Sequence, residues 1–93
     1  MKVGDLAWVE VDKRRPAVVI AVSDGRYTVM YGTGTKREVP SVCINHRQRA
    51  GLVLQLTKPT YFYATSVVVV SEAALSYRGI CLRTYFAIEA LIR

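Results

Sequence analysis

The chain has 93 residues, with 13 Lys and Arg against 7 Asp and Glu and a formal net charge of +6. That length sets one small domain, residues 1–93, with a modest core, and 52% apolar residues exclude an intrinsically disordered chain. The positive balance fits a polyanionic partner or a merely solvated rim; no apolar run has the length of a membrane span, and two scattered cysteines with one histidine exclude a closed metal shell.

In chain order, Asp5–Val11 (DLAWVEV) is rich in strand formers and predicts a first strand. Ala17–Val22 (AVVIAV) is a continuous apolar run, the pattern of a strand buried on both faces. Ser23-Asp24-Gly25 is a tight-turn signal that leads into Arg26–Tyr31 (RYTVMY), so these two runs predict a hairpin. A further short strand is expected within Lys36–Ile44, with Pro40 confined to an edge or a strand start. Asn45–Gly51 is polar and reads as a loop, while Leu52–Leu56 and Thr60–Val70 read as two more strands. Ser71–Leu75 fits a single helical turn, Tyr77–Leu82 a last short strand, and Thr84–Arg93 a helix capped by Thr84. Tyr85, Ile88 and Leu91 or Ile92 share one face of that helix. The sum is a mainly β fold with a C-terminal helix, a small bent SH3-like barrel of five to seven strands. The N-terminal MKVGDLAW carries no signal-peptide pattern, so Cys43 and Cys81 read as reduced, buried apolar residues of a cytoplasmic protein.

Two stretches at strand ends carry possible chemistry. Arg14-Arg15-Pro16 stands at the mouth of the second strand, and Gly32-Thr33-Gly34-Thr35 follows the third. A guanidinium offers always-charged, bidentate donors to a phosphate, a hydroxyl adds another donor, and glycines let the backbone come close. The same residues also suit plain turn chemistry.

The segments Gly4-Asp5-Leu6 and Arg15-Pro16-Ala17-Val18-Val19-Ile20, followed by the ordered stretches LTKPTY (Leu56–Tyr61), GICL (Gly79–Leu82) and IEALI (Ile88–Ile92), resemble the MazF/PemK (Kid-like) toxin endoribonucleases. That resemblance spans nearly the whole chain. It implies an SH3-like barrel working as a homodimer, cleavage of single-stranded RNA to a 2′,3′-cyclic phosphate without metal or other cofactor, and inhibition by a cognate acidic antitoxin. It places the catalytic arginine on Arg15 and the catalytic hydroxyl on Thr35 or, as second choice, Thr33. The chain departs from the family in its short connection from Val11 to Arg15 and in Thr65–Val68, where relatives carry a polar helper and an arginine. Those departures keep an alternative open: a catalytically silent SH3-like barrel that binds nucleic acid or a host protein.

Around this pair, Lys13 and Arg14 with Lys36 and Arg37 are expected to form a basic rim for backbone phosphates. His46, flanked by Arg47 and Arg49, is a candidate proton shuttle or a solvated loop residue, with His46 and Arg47 further RNA contacts. Strand alternation sends Tyr61 and Tyr63 to one face and Phe62 to the other. These aromatics and Trp8 read as core or interface first and as stacking platforms second.

Overall fold

Strand β2 (Arg14–Ser23) returns into β3 (Arg26–Thr33) through Asp24 and Gly25, whose φ angles are 50° and 74°. Both signs are those of a type I′ turn, whose twist matches that of the strands it joins. This hairpin is the centre of a single antiparallel sheet in a computed structural model that describes residues 1–93. The other strands are β1 (Asp5–Glu10), β4 (Val42–Ile44), β5 (Thr60–Ser71) and β6 (Leu75–Ile80), with spatial order β4-β5-β3-β2-β1-β6. The sheet curls into a half-barrel, and α2 (Leu82–Ile92) closes the chain. The protein is thus mainly β with a C-terminal helix. None of its helices is long and apolar enough to cross a membrane.

Alternation along the central strands sorts the core into two layers. Leu6, Val18, Met30 and Phe62 join Ile44, Leu54 and Ile88 between the sheet and the helices. Val9, Ala17, Val19, Tyr27 and Val29 pack on the opposite side. The run Ala17–Val22 is therefore buried on both faces only as far as Val19; Ala21 and Val22 are exposed where β2 extends past the helices. Irregular register bends the sheet. Between Met30 and Gly32 the partner in β5 jumps from Val67 to Phe62, and the start of β5 pairs with the end of β3 on one edge and with β4 on the other. That bend brings the end of β3 beside Thr60 and Phe62.

Three expectations are corrected. Asn45–Gly51 is not all loop and Leu52–Leu56 is not a strand, because Arg49–Val53 forms a short helix, α1. Ala50, Gly51 and Leu54 are all buried, the i, i+1, i+4 spacing of one helix face, whereas a strand would send Gly51 to the side opposite Ala50 and Leu54. The helix ends in a Schellman motif: Leu56 N–H donates to the Gly51 carbonyl at 2.9 Å and Gln55 N–H to Leu52 at 3.1 Å, with Gln55 at φ 57°. Helix α2 begins at Leu82 with Cys81 as its cap, so Thr84 sits inside the first turn. Its inner face is Tyr85, Ile88 and Leu91, while Ile92 points outward. Both cysteines are free thiols, but Cys43 is exposed and Cys81 half-buried, since Cys43 alternates with the inward Ile44.

Candidate functional site

Arg15 enters β2 opposite Val9 of β1, directly after the tight connection in which Val11 N–H donates to the Lys13 carbonyl at 3.1 Å. Its guanidinium is held on three sides. Nε donates to Asp12 Oδ1 at 2.8 Å and Nη2 to Asp12 Oδ2 at 3.0 Å, a bidentate fork. Nη1 reaches the Gly32 carbonyl at 3.4 Å, and the group lies 5.6 Å from the centroid of the Tyr31 ring. The clamp therefore ties the β1–β2 turn to the end of β3. Through those hydrogen bonds Arg15 holds the Asp12 carboxyl well below the usual carboxylate range, and Asp12 in turn raises the guanidinium pKa.

A group whose folded pKa is depressed contributes stability above its unfolded value and loses it as pH falls through the folded one. The clamp is thus expected to stay intact from neutral pH down past the range where a free Asp, with pKa about 3.9, titrates. Carbon-detected NMR of the Asp12 carboxyl checks this: the resonance should still hold its ionised position at about pH 3. A midpoint in the ordinary carboxylate range would mean the fork does not persist in solution.

Arg15 stands at one wall of a cleft of about 330 Å³. Lys13, Arg14 and Lys58 also line it, and no acidic side chain does. The end of β3 forms a second wall, where Gly32 is demanded by close neighbours and Gly34 faces only the flexible end of Lys58. A Cβ on Gly32 would collide with Thr60 and lie 2.9 Å from the Phe62 ring, and one on Gly34 would lie 2.9 Å from Lys58 Nζ. Trp8 of β1 and the segment Gln55–Lys58 complete the cleft. The indole N–H of Trp8 donates to the Leu54 carbonyl at 3.0 Å, and the Arg14 guanidinium lies 5.5 Å from the centroid of its ring.

The fold gathers Lys13, Arg14, Arg15 and Thr33 around this cleft and leaves the other expected site residues outside its lining. Thr33 Oγ1 accepts the Thr35 N–H at 3.3 Å, and the Thr35 carbonyl accepts the hydroxyl of buried Tyr63 at 3.0 Å. That same hydroxyl accepts the Arg37 N–H, and the Arg37 guanidinium lies 5.0 Å from the Tyr63 ring centroid. Tyr63 thus fixes the loop carrying Thr35, Lys36 and Arg37 beside the cleft but not into it. His46 and Arg47 occupy the turn before α1; His46 Nδ1 is enclosed without a partner, and the Arg47 N–H donates to Asn45 Oδ1 at 2.9 Å. Lys58, Gln55 and the Asp12 partner of Arg15 are the additions that sequence reasoning missed. A lysine before Pro59 was a usable signal for Lys58, since a residue before proline is held extended.

A larger groove of about 850 Å³ runs between β4, α1 and the start of α2. Its lining is mostly apolar with Arg49 and Arg83 at the sides, and none of the expected site residues faces it. The smaller cleft is the stronger candidate because Lys13, Arg14, Arg15, Lys58 and Thr33 line it together, while the larger groove is mostly apolar.

No protein-family model matches this chain, and no curated protein is significantly similar to it in sequence.

Chemically, the cleft presents basic and hydroxyl donors of the kind that suit an anion. Two donors of Arg15 are engaged by Asp12, yet the second hydrogens of Nη1 and Nη2 remain to meet a phosphate. Because Thr33 Oγ1 accepts a hydrogen bond from Thr35, its own hydroxyl proton is free to donate. Neither a carboxylate nor an imidazole lines the cleft. The lining groups can therefore supply charge stabilisation and positioning to an anion.

Proposed function

We propose that the chain is the toxin of a type II toxin–antitoxin pair, a MazF/PemK-like endoribonuclease that cleaves single-stranded RNA to a 2′,3′-cyclic phosphate without a metal. The observation that carries this reading is the Arg15 guanidinium, fixed by Asp12 at the wall of a basic cleft that Thr33 also lines. In the proposed reaction the RNA 2′-oxygen attacks the adjacent phosphorus and the 5′-oxygen departs. The 2′ proton passes to water, and the leaving oxygen takes a proton from water. Arg15 and Thr33 donate to the phosphorane oxygens as their charge grows, and Lys13, Arg14 and Lys58 hold the flanking phosphates. The same reading carries a homodimer, an acidic antitoxin that competes for the basic cleft, and a cytoplasmic site of action.

One observation favours a second reading, a silent barrel that binds nucleic acid without cutting it. The carboxylate of Asp12 already occupies two of the Arg15 donors, which weakens the field available to a phosphate. Incubating the purified chain with a long mixed-sequence single-stranded RNA in EDTA separates the two. Discrete cuts are expected from the endoribonuclease. Salt-sensitive binding with intact RNA supports the silent barrel, and a strict need for Mg²⁺ removes the metal-free mechanism.

A further inference from the structure

We infer that the cleft holds a nucleobase as well as a phosphate, with Trp8 as the stacking platform and Gln55 as the group that reads the base edge. The inference rests on the reading of the cleft as a nucleic-acid site, and it assigns the part of the site that carries sequence preference.

Size sets the first limit. A cleft of about 330 Å³ lies at the low end of small-molecule sites. It accommodates one nucleotide and no paired duplex, so the base must enter unpaired, with its face and its edge both available.

The Trp8 ring supplies the face. It is half-buried, and the hydrogen bond from its indole N–H to the Leu54 carbonyl fixes its plane. Inside the cleft an exposed, planar guanidinium, that of Arg14, already stands over the ring. A guanidinium and a base use the same aromatic face, so a base either displaces Arg14 or is sandwiched beneath it. Arg15 and Lys58 line the same cleft, so a base on Trp8 has its own phosphate within the basic wall.

Gln55 supplies the edge. It occupies the position after the α1 cap at φ 57°, where glycine carries no Cβ penalty. An exposed glutamine there is strained, and strain of this kind collects at ligand clamps. Its neighbour Leu54 anchors Trp8, so one turn sets both the platform and the amide. A carboxamide offers a donor and an acceptor side by side, which matches the N6 and N7 atoms of adenine.

Trp8 is the sole tryptophan, so its fluorescence reports base stacking directly. Wild type and Gln55→Gly should be titrated with adenosine, guanosine, cytidine and uridine 3′-monophosphates, and with ribose 5-phosphate as the base-free control. The glycine variant keeps the turn and removes only the amide. In wild type, saturable quenching is expected from the nucleotides but not from the sugar phosphate, with adenosine monophosphate tightest by at least about fivefold. Gln55→Gly should still be quenched and should lose that preference. Equal quenching by ribose 5-phosphate, or no quenching by any nucleotide, overturns the platform. Unchanged preference in Gln55→Gly overturns the role of Gln55. Base-selective quenching without RNA cleavage would leave this inference standing while the endoribonuclease reading fails, and cleavage without base-selective quenching would do the reverse.

Discussion

Replacing Arg15 with alanine is expected to lower RNA cleavage by about a hundredfold to a thousandfold, the usual consequence of deleting one preorganised donor to a developing oxyanion. The fold should survive. Asp12, the partner left behind, is two-thirds exposed and rehydrates when the fork is lost. The pair is open to solvent on its Asp12 side, while the Arg15 side chain is only 16% exposed, so a modest downward melting shift is expected rather than unfolding. Arg15→Lys is expected to recover little activity. A point-charge ammonium cannot hold both Asp12 oxygens, reach the Gly32 carbonyl and present further donors to a phosphate at once. Initial cleavage rates and thermal melts of the two variants check this together. Full cleavage by Arg15→Ala would remove Arg15 from the site, and a collapsed fold would show that the clamp is structural.

The largest effect on stability is expected at Gly51. By helix propensity alone, glycine to alanine inside α1 gains about 1 kcal/mol. Here the added methyl would run into the Asn45 carbonyl oxygen and lie 2.9 Å from His46 Cα. Both are backbone atoms of the turn that feeds the helix, and they cannot rotate away. Gly51→Ala should therefore destabilise the protein by about 3 kcal/mol or more, which for a chain of this size lowers Tm by roughly 12–24 °C. The damage should reach the cleft, because α1 leads into Leu54, whose carbonyl holds the Trp8 indole. Gly34→Ala is the contrasting control. Its methyl meets only the flexible end of Lys58, so its Tm should stay near that of wild type. A Gly51→Ala protein that melts at or above wild type would contradict the packing of α1 described above.

The hairpin and the strands around it were legible because their signals are local. Asp24-Gly25 dictates its own turn, and Ala17–Val19 can be buried on both faces only in a central strand. Helix α1 was not legible. Its C-terminal signal is normally a glycine, and here a glutamine takes the left-handed position, so Leu52–Leu56 imitated a strand. The bend in β5 leaves no sequence trace either, since it comes from pairing first with β4 and Thr33 and then with Met30.

The site divides along the same line. Lys13, Arg14 and Arg15 are neighbours in sequence at a strand mouth, and Thr33 ends the adjoining strand, so antiparallel pairing alone brings them together. Gln55 and Lys58 arrive through the misread segment after α1, and Lys58 meets Gly34 by an approach that no local pattern encodes. Thr35 and Arg37 follow the same strand as Thr33, but the buried Tyr63 hydroxyl binds their backbone and fixes their loop beside the cleft.

The most direct test of the central claim is end-group analysis by mass spectrometry of RNA treated in EDTA with wild type and with Arg15→Ala. Fragments ending in a 2′,3′-cyclic phosphate are expected from wild type and intact RNA from the variant. Equal amounts of cyclic-phosphate ends from both proteins, or ends carrying a 3′-hydroxyl, would contradict that claim.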